Sequence, residues 1–381
     1  MNIGIISLYK NSSNFGGLLQ AYALIKILEE EGYKAKQILQ GEQNRNYKKR
    51  TIFDKIKKRG FAFAVEVLKD KIADKINKSE ITQEDLEATL KECKDFRDGI
   101  PHTEMIDEDD LAKLNCIFDA FIVGSDQVWN SKWLKDIYFL PFSSKPKISY
   151  AASIARFDFS KYELQKLISG LLGFKWISVR EAKAVTFLEN NCKIKADLVL
   201  DPTMLLGIEA WSQVEKKPEE LGNTEDFIFC YFLKGNKYKR KVANKFSSNS
   251  GYTAVFPNFT DNKIKYGNIS AKEKFLYDVG PREFLWLIHH AKVVLTDSFH
   301  GTALSIVYNK QFYHILRTSN GRGDMNSRIY SLLSMFGLEK QMFVEKGRES
   351  IIDYSIVNRK LDEMRSYSLT LLMTNLKDIK A

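Results

Sequence analysis

The sequence lacks the features that define several large classes of proteins. It has no run of about 18 apolar residues and opens with a short apolar stretch instead of a secretory signal, so we expect no transmembrane helix and no export. Its four cysteines are scattered without Cys-x-x-Cys spacing, which argues against a zinc site and a disulfide framework. It contains no P-loop, no Gly-x-Gly-x-x-Gly motif and no repeat of fixed period. These absences favour a cytoplasmic protein with reduced cysteines; they argue against a zinc site and a bound nucleotide, and we expect no cofactor.

The chain is long enough and apolar enough for two domains. Its 381 residues exceed the size at which one hydrophobic core usually stops growing, and 44% of them are hydrophobic. Short apolar strands alternate with helical patterns, which is typical of parallel sheets covered by helices. We therefore predict an α/β fold with a cleft between two domains, 1–205 and 206–355. A basic helical insertion is expected at about 42–110, and a C-terminal helix within 356–381 would be able to pack back on the first domain.

The ends of the predicted strands are the places to look for a site, because ligands of such sheets bind beyond the carboxyl ends of the strands. The expected strands are Ile3–Leu8, Ala35–Leu39, Phe118–Val123, Lys147–Ala151, Trp176–Val179, Leu198–Leu200, Phe227–Leu233, Tyr252–Phe256, Lys292–Thr296 and Gln311–Ile315. The expected helices are Leu18–Glu31, Lys161–Leu172, Lys237–Ser248, Pro281–His290, Thr302–Tyr308 and Ser327–Phe336.

Positive charge is concentrated in one segment. The formal net charge is +10, and the stretch Arg45–Arg59 is rich in lysine and arginine with the single acid Asp54. Apolar residues between Ile52 and Ile76 recur at helical spacing, so the segment is predicted to be amphipathic with a cationic side. One interpretation is a contact with anionic membrane or with a lipid-linked phosphate substrate. The alternative is a helical insertion docked on the domain with a solvated basic face.

The most informative stretch joins an apolar strand to a polar corner. Val293–Leu295 can form a buried strand, and the three residues after it are of types that cap helices. Gly301 allows a close approach of the backbone to a ligand. His300 would then lie where a helix begins, beside free N–H groups that favour an anion. The alternative is an ordinary turn with a solvated histidine.

The loop after the first strand is rich in small residues. Ser12–Gly17 precedes a helix expected to begin near Leu18. Small residues and a helix N-terminus can cradle a phosphate or sugar hydroxyls. The alternative is a tight turn that only packs the helix against the strand.

A dense polar cluster follows the third predicted strand, at Gly124–Asn130. Asp126 and Gln127 can bind sugar hydroxyls together with Asn130, and Trp129 can pack on a sugar face. Asp126 is also a candidate general base toward a hydroxyl. The alternative is a capped helix start with Trp129 in the core.

Two arginines have positions that suit an anionic ligand. Arg180 ends an otherwise apolar strand, where its planar fork can bind a carboxylate or a phosphate. Its alternative role is a structural ion pair with Glu181 or Asp201. Arg328 opens an apolar helix and is a better ligand candidate than the loop residue Arg322.

Six short motifs in chain order resemble the polysaccharide pyruvyl transferase family over roughly residues 1–340. They are Asn14-Phe15-Gly16-Gly17 with Leu19-Gln20-Ala21-Tyr22, Gly124-Ser125-Asp126-Gln127-Val128-Trp129, Ser178-Val179-Arg180-Glu181, Asp201-Pro202-Thr203, Thr296-Asp297-Ser298-Phe299-His300-Gly301 and Ser327-Arg328-Ile329. The resemblance implies two Rossmann-like domains of the glycosyltransferase-B type. It also implies transfer of a pyruvyl group from phosphoenolpyruvate onto two hydroxyls of a sugar, often galactose, as a ketal, with release of phosphate and without a metal.

The resemblance also implies which residues bind each substrate. Phosphoenolpyruvate would bind in the second domain and the sugar acceptor in the first, with Ser298 standing where some members carry a basic residue. The donor residues would be Arg180, Arg328, Ser298, Phe299, His300 and Gly301, and the acceptor residues Asn14, Gly16, Gly17, Gln20, Ser125, Asp126, Gln127, Trp129 and Asn130.

The proposed chemistry suits these residue types. Phosphoenolpyruvate carries a carboxylate and a phosphate, which two arginines and a helix N-terminus can bind. A histidine side chain, with an ordinary pKa of about 6.5, gives and takes protons near neutral pH. We therefore predict His300 as the general acid and base, Asp297 as its orienting residue and Asp126 as a base for the acceptor hydroxyl.

Two other functions remain open at the level of sequence. A nucleotide-sugar-dependent glycosyltransferase has the same two-domain fold. A non-catalytic protein would instead bind anionic glycans or membrane through Arg45–Arg59. We favour an enzyme of exopolysaccharide or capsule synthesis that acts on a sugar or a lipid-linked oligosaccharide, in the cytoplasm or at the inner face of the membrane, and we expect no nucleic-acid partner.

The other histidines compete poorly with His300. His289 and His290 lie at a predicted helix end, where such a pair more often caps the helix than binds a metal. His314 lies inside an apolar strand, and His102 follows a proline in a polar loop.

Overall fold

The computed structural model describes residues 1–9, 13–41, 83–234, 236–257, 272–316, 326–345 and 350–380. The basic segment Arg45–Arg59 and the loop arginine Arg322 lie outside the described residues.

Two parallel sheets form the framework of the protein. The first has seven strands in the order β3-β2-β1-β4-β5-β6-β7, and the second has five in the order β10-β9-β8-β11-β12. The strands are β1 Asn2–Ile6, β2 Lys34–Gln40, β3 His102–Ile106, β4 Ala120–Val123, β5 Lys147–Ala152, β6 Trp176–Val179, β7 Asp197–Leu198, β8 Phe227–Tyr231, β9 Thr253–Pro257, β10 Glu273–Leu276, β11 Val293–Thr296 and β12 Phe312–His314. The α/β prediction with two parallel sheets is confirmed.

Both sheets have the same Rossmann-like strand order. The chain moves outward from β1 to β3 and then returns to the other side of β1 with β4, and β8 to β11 repeat this pattern. Such a reversal leaves a crevice at the carboxyl ends of the two central strands. The residues that follow β4 and β11 therefore lie where a ligand is expected.

The helices cover these sheets, and the first of them joins the two domains. They are α1 Phe15–Glu30, α2 Gln83–Asp98, α3 Lys161–Leu171, α4 Ala182–Phe187, α5 Pro202–Leu205, α6 Ile208–Ser212, α7 Lys237–Ser250, α8 Pro281–His290, α9 Phe299–Val307, α10 Ser327–Phe336 and α11 Tyr354–Lys380. At the start of α1, Phe15 packs on Tyr231 and Phe284 of the second domain, with ring centroids 6.1 and 5.5 Å apart. These aromatic contacts hold the start of α1 against the second domain.

The structure differs from the sequence prediction at the edges of the sheets and at helix starts. Strands β3 and β10 were not expected, because edge strands carry many polar residues and lack a continuous apolar pattern. Helix α1 begins at Phe15, so Gly16 and Gly17 lie in its first turn instead of in a loop. Glycine lowers helix propensity, which is why the sequence suggested a later start.

The C-terminal helix α11 contacts the first domain. The Ser368 hydroxyl accepts a hydrogen bond from the backbone N–H of Leu200, and Arg365 donates to the carbonyls of Met204 and Leu206. Neither α11 nor any other helix of the described residues is long and apolar enough to cross a membrane.

Candidate active site

The loop after β4 is held by a hydrogen bond to α1. A cis peptide joins Gly124 to Ser125, and Ser125 N–H donates to Gln20 Oε1 at 2.9 Å. The Gln20 amide in turn donates to the carbonyl of Gly17 at 2.8 Å. Gln20 is fully buried and its amide is engaged on both sides. This corrects its prediction as an acceptor contact, because it supports the loop and does not reach the crevice.

Arg180 lies between two carboxylates beyond the carboxyl ends of β4, β6 and β7. Its Nη2 donates to Asp126 Oδ1 at 2.7 Å and its Nη1 donates to Asp201 Oδ2 at 2.5 Å, and all three side chains are buried. Glu181 instead accepts hydrogen bonds from Ser153 and from two backbone N–H groups. Of the ion pairs considered from sequence, Arg180 therefore makes the one with Asp201 and adds a second with Asp126.

The ion pairs determine the charge of these groups. Burial by itself raises the pKa of the Asp201 carboxyl, but the charges of Arg180 and His300 outweigh it and hold that pKa well below its usual range. Burial, Arg180 and His300 act on Asp126 in the same way, and its pKa is also lowered. Both carboxylates are therefore ionised at neutral pH, and Asp126 is a weak base.

His300 reaches this ion-pair cluster from the second domain. It lies in the first turn of α9, whose N-cap Ser298 accepts a hydrogen bond from Gly301 N–H at 3.4 Å. The expectation that His300 lies where a helix begins is confirmed, although the helix starts at Phe299, three residues before the expected Thr302. Its Nε2 lies 3.4 Å from Arg180 Nη1 and 3.8 Å from Asp201 Oδ2. The side chain is only 6% exposed.

Gly16 makes room for the imidazole. A Cβ atom built on Gly16 would lie 1.9 Å from His300 Nδ1, a separation that two unbonded heavy atoms cannot adopt. The close packing of α1 on the imidazole thus requires glycine at this position. Glycine is needed at position 301 for a similar reason, because a Cβ atom built on Gly301 would lie 2.5 Å from Thr296 Oγ1.

Replacing Gly16 with alanine tests this contact. Alanine favours a helix by roughly 0.5–1 kcal/mol over glycine, yet its methyl group would push His300 away from Arg180 and Asp201. We expect Gly16→Ala to lower the catalytic activity of the protein at least tenfold. The control is Gly99→Ala, where the nearest atom to a Cβ is 3.5 Å away. Equal activity of the two variants would contradict the proposed packing requirement.

Phe299 links the two candidate donor-binding arginines. The Cζ atoms of Arg180 and Arg328 lie 4.3 and 5.9 Å from the centroid of its ring. Arg328, at the start of α10, is buried and its charge contributes to the lowered pKa of Asp126. Two guanidinium groups therefore lie beside Phe299 at the start of α9, together with the carboxylates of Asp126 and Asp201.

Asp297 does not orient His300. Its carboxylate forms an ion pair with Lys239 at 2.6 Å and accepts hydrogen bonds from the backbone N–H groups of Leu233 and Lys234. It thus fixes the loop after β8, which corrects the sequence prediction. The carboxylate nearest the imidazole in this cluster belongs to Asp201, which the sequence suggested only as an ion-pair partner.

The predicted sugar platform is part of the hydrophobic core. Trp129 is fully buried, and its Nε1 donates to the carbonyl of Tyr138. Asn130 is also buried, where it donates to Gln127 and caps a short 3₁₀ helix. Both predictions are corrected, because a tight turn after β4 directs these side chains inward. Of the predicted acceptor residues, Asn14 is exposed and Gln127 is half-buried.

A second group of histidines lies away from this crevice. His289 Nδ1 lies 2.9 Å from Glu215 Oε1, and Tyr308 donates to the same carboxylate. His290 Nδ1 lies 3.0 Å from the carbonyl oxygen of Trp286. Since a carbonyl oxygen only accepts, that nitrogen carries a proton and is not a metal ligand in this arrangement.

Two Rossmann-like sheets, with a cluster of buried charges at their strand ends, are typical of proteins with the glycosyltransferase-B fold. Similar solved structures include a putative UDP-N-acetylglucosamine 2-epimerase from Listeria monocytogenes, at 9% identity and a TM-score of 0.53, covering 99% of this chain and 95% of that chain. The UDP-GlcNAc 2-epimerase from Methanocaldococcus jannaschii is similar at 12% identity and a TM-score of 0.50, covering 96% and 100%. At such identities the similarity shows the fold alone.

The sequence itself identifies the family. The model of the family described as polysaccharide pyruvyl transferase matches residues 14–319. Because this range includes most of the chain, the protein belongs to the polysaccharide pyruvyl transferase family. No curated protein sequence matches the chain.

Proposed function

We propose that the protein transfers the pyruvyl group of phosphoenolpyruvate onto two hydroxyls of a sugar, forming a ketal and releasing phosphate. The observation that carries this proposal is the position of His300, whose Nε2 lies within 4 Å of both Arg180 and Asp201 in the crevice between the two sheets. A proton-transfer group beside a fixed guanidinium is what addition to an anionic enol phosphate requires.

Arg180 and Arg328 are the proposed donor-binding residues. Each Nη atom of Arg180 already donates one hydrogen bond to a carboxylate, which leaves the second N–H of each for a substrate anion. Its Nε atom is buried without a hydrogen-bond partner among the described residues. In the first turn of α9, the N–H groups of Ser298 and Gly301 already donate to the hydroxyls of Thr296 and Ser298, so the N–H groups of Phe299 and His300 are the further donors proposed for the anion.

His300 is the proposed proton carrier. In the first step it gives a proton to the methylene carbon of phosphoenolpyruvate, while the first sugar hydroxyl bonds to the neighbouring carbon and loses its own proton to the imidazole. In the second step another sugar hydroxyl adds to the same carbon, and the bond between this carbon and the phosphate oxygen breaks. The proton of that second hydroxyl leaves with phosphate. One histidine can make both proton transfers of the first step because imidazole both gives and takes a proton near neutral pH.

The acceptor is proposed to bind on the first-domain side of the crevice. Asn14 and Gln127 are accessible there, whereas the low pKa of Asp126 makes it a poor hydroxyl base. We propose a galactose-containing acceptor of surface-polysaccharide synthesis, which includes a lipid-linked oligosaccharide if Arg45–Arg59 contacts anionic membrane.

Ligand-induced stabilisation distinguishes this function from the alternatives. Phosphoenolpyruvate is expected to raise the melting temperature of the purified chain, since a ligand at 100 times its Kd stabilises the folded state by about 2.7 kcal/mol. UDP and GDP are expected to leave it unchanged. Stabilisation by a nucleotide alone would favour a nucleotide-sugar glycosyltransferase. Salt-sensitive binding to anionic vesicles without phosphate release would favour a non-catalytic binding protein.

A further inference from the structure

His300 Nε2 lies between a group that only donates and a group that only accepts. Arg180 Nη1 is 3.4 Å away, and a guanidinium can only donate, so a neutral imidazole receives this contact through an unprotonated Nε2. Asp201 Oδ2 is 3.8 Å away, and a carboxylate can only accept, so it attracts the ring when Nε2 carries a proton. The two contacts therefore correspond to two protonation states of one nitrogen.

We infer that Asp201 is the positioning residue of His300, and that the imidazole changes its partner from Arg180 to Asp201 when Nε2 gains a proton. The inference deepens the proposed function and rests on it for the catalytic use of that proton. It assigns Asp201 no contact with substrate.

Hydrogen bonds hold the Asp201 carboxylate in place during this exchange. Its Oδ1 accepts two hydrogen bonds from Thr203, and its Oδ2 accepts one from Arg180 and shares the single proton of the Ser125 hydroxyl with the Ala151 carbonyl. The side chain is fully buried, and its low pKa keeps it charged across the range in which a histidine titrates. The carboxylate is thus a fixed negative charge beside a ring that changes charge.

The other charged groups around the ring do not replace Asp201. Arg180 follows β6 and Arg328 begins α10, and both are cations that disfavour a charged imidazole. Asp126 follows β4, and although its charge also interacts with that of His300, its Oδ1 is bound to the far Nη2 of Arg180. On α1 the ring contacts Gly16, which has no side chain to offer. Asp297, next to Ser298, is paired with Lys239.

The test compares Asp201→Asn with Asp297→Asn. Both variants remove one buried, ion-paired carboxylate, but only the first removes a charge next to His300. The chain has five histidines, so ¹⁵N-histidine spectra of the ligand-free protein are simple, and His300→Gln assigns the signal. A neighbouring opposite charge favours the charged form by about one to three pH units. We therefore expect Asp201→Asn to move the protonation of His300 to lower pH by at least one unit, and Asp297→Asn to leave it unchanged.

The pH profile of phosphate release provides the functional measurement, with phosphoenolpyruvate and a galactose-terminated acceptor as substrates. As the pH rises, activity that needs protonated His300 is lost, and this loss should begin at a lower pH in Asp201→Asn than in the wild type. A purely structural defect would instead lower activity equally at all pH values. Asp201→Glu, which keeps the charge, should restore much of the wild-type profile.

The outcomes separate the two proposals. If His300 titrates in Asp201→Asn as it does in the wild type, the positioning role is wrong, whether or not phosphoenolpyruvate is a substrate. If the titration moves but no variant and no wild-type protein releases phosphate, the positioning role stands and the proposed function is wrong. Should Asp201→Asn not fold, Ser125→Ala frees one lone pair of Oδ2 for the imidazole and should raise the pH at which His300 loses its proton; an unchanged or lower value would overturn the inference.

Discussion

Replacing His300 with glutamine is expected to lower phosphoenolpyruvate-dependent phosphate release by about 10²–10⁴-fold, the usual contribution of a general acid and base. Glutamine fills a similar volume beside Gly16 and Arg180 but cannot exchange a proton at neutral pH. The measurement is the rate of phosphate release in the presence of acceptor, together with the affinity for phosphoenolpyruvate. We expect the rate to fall much more than the affinity, because the proton moves only in the reaction.

The matched control is His289→Gln. His289 also contacts a carboxylate, that of Glu215, but lies outside the crevice. This variant should retain most of its activity. Near-normal phosphate release from the His300 variant would show that another group moves the proton, and the proposed mechanism would then be wrong.

Replacing Arg180 with glutamine is expected to have the largest effect on stability. Removal of the guanidinium leaves the buried carboxylates of Asp126 and Asp201 without their shared cation. Breaking a buried ion pair in this way typically costs about 3–5 kcal/mol. Urea unfolding followed by circular dichroism should show this loss, and donor binding should weaken as well.

The control for this variant is Arg156→Gln. Arg156 also binds an aspartate, Asp158, through two hydrogen bonds, but Asp158 is more than half exposed. Exposed pairs contribute roughly 0–1 kcal/mol. A loss of stability no larger in the Arg180 variant than in the Arg156 variant would mean that the ion-pair cluster contributes no more than a surface salt bridge.

The sequence predicted the interior of both sheets better than their edges. Central strands such as β4 and β11 are continuous apolar runs whose burial follows from composition alone. The edge strands β3 and β10 carry polar residues, and only their backbone pairing with β2 and β9 makes them strands. Their formation depends on a neighbouring strand, so a local pattern does not reveal them.

The candidate site was likewise predicted from the sequence only in part. The start of a helix near His300 follows from the cap-forming residues just before it in the sequence, and this prediction was confirmed, although the expected helix began three residues too late. The environment of Trp129 was left open between a sugar platform and the core, because both suit an aromatic residue after a strand. The turn after β4 placed it in the core.

The sequence by itself determined the alternation of helices and strands, the family and the residue types of the crevice, because these follow from local composition and from motifs of a few residues. Only the tertiary structure decided which carboxylate pairs with which cation. Asp297 lies three residues from His300 yet binds Lys239, while Asp201 comes from the end of another strand to face the imidazole. The physical reason is that a charge pairs with the nearest opposite charge in space, and the order of strands in the two sheets determines which strand ends meet.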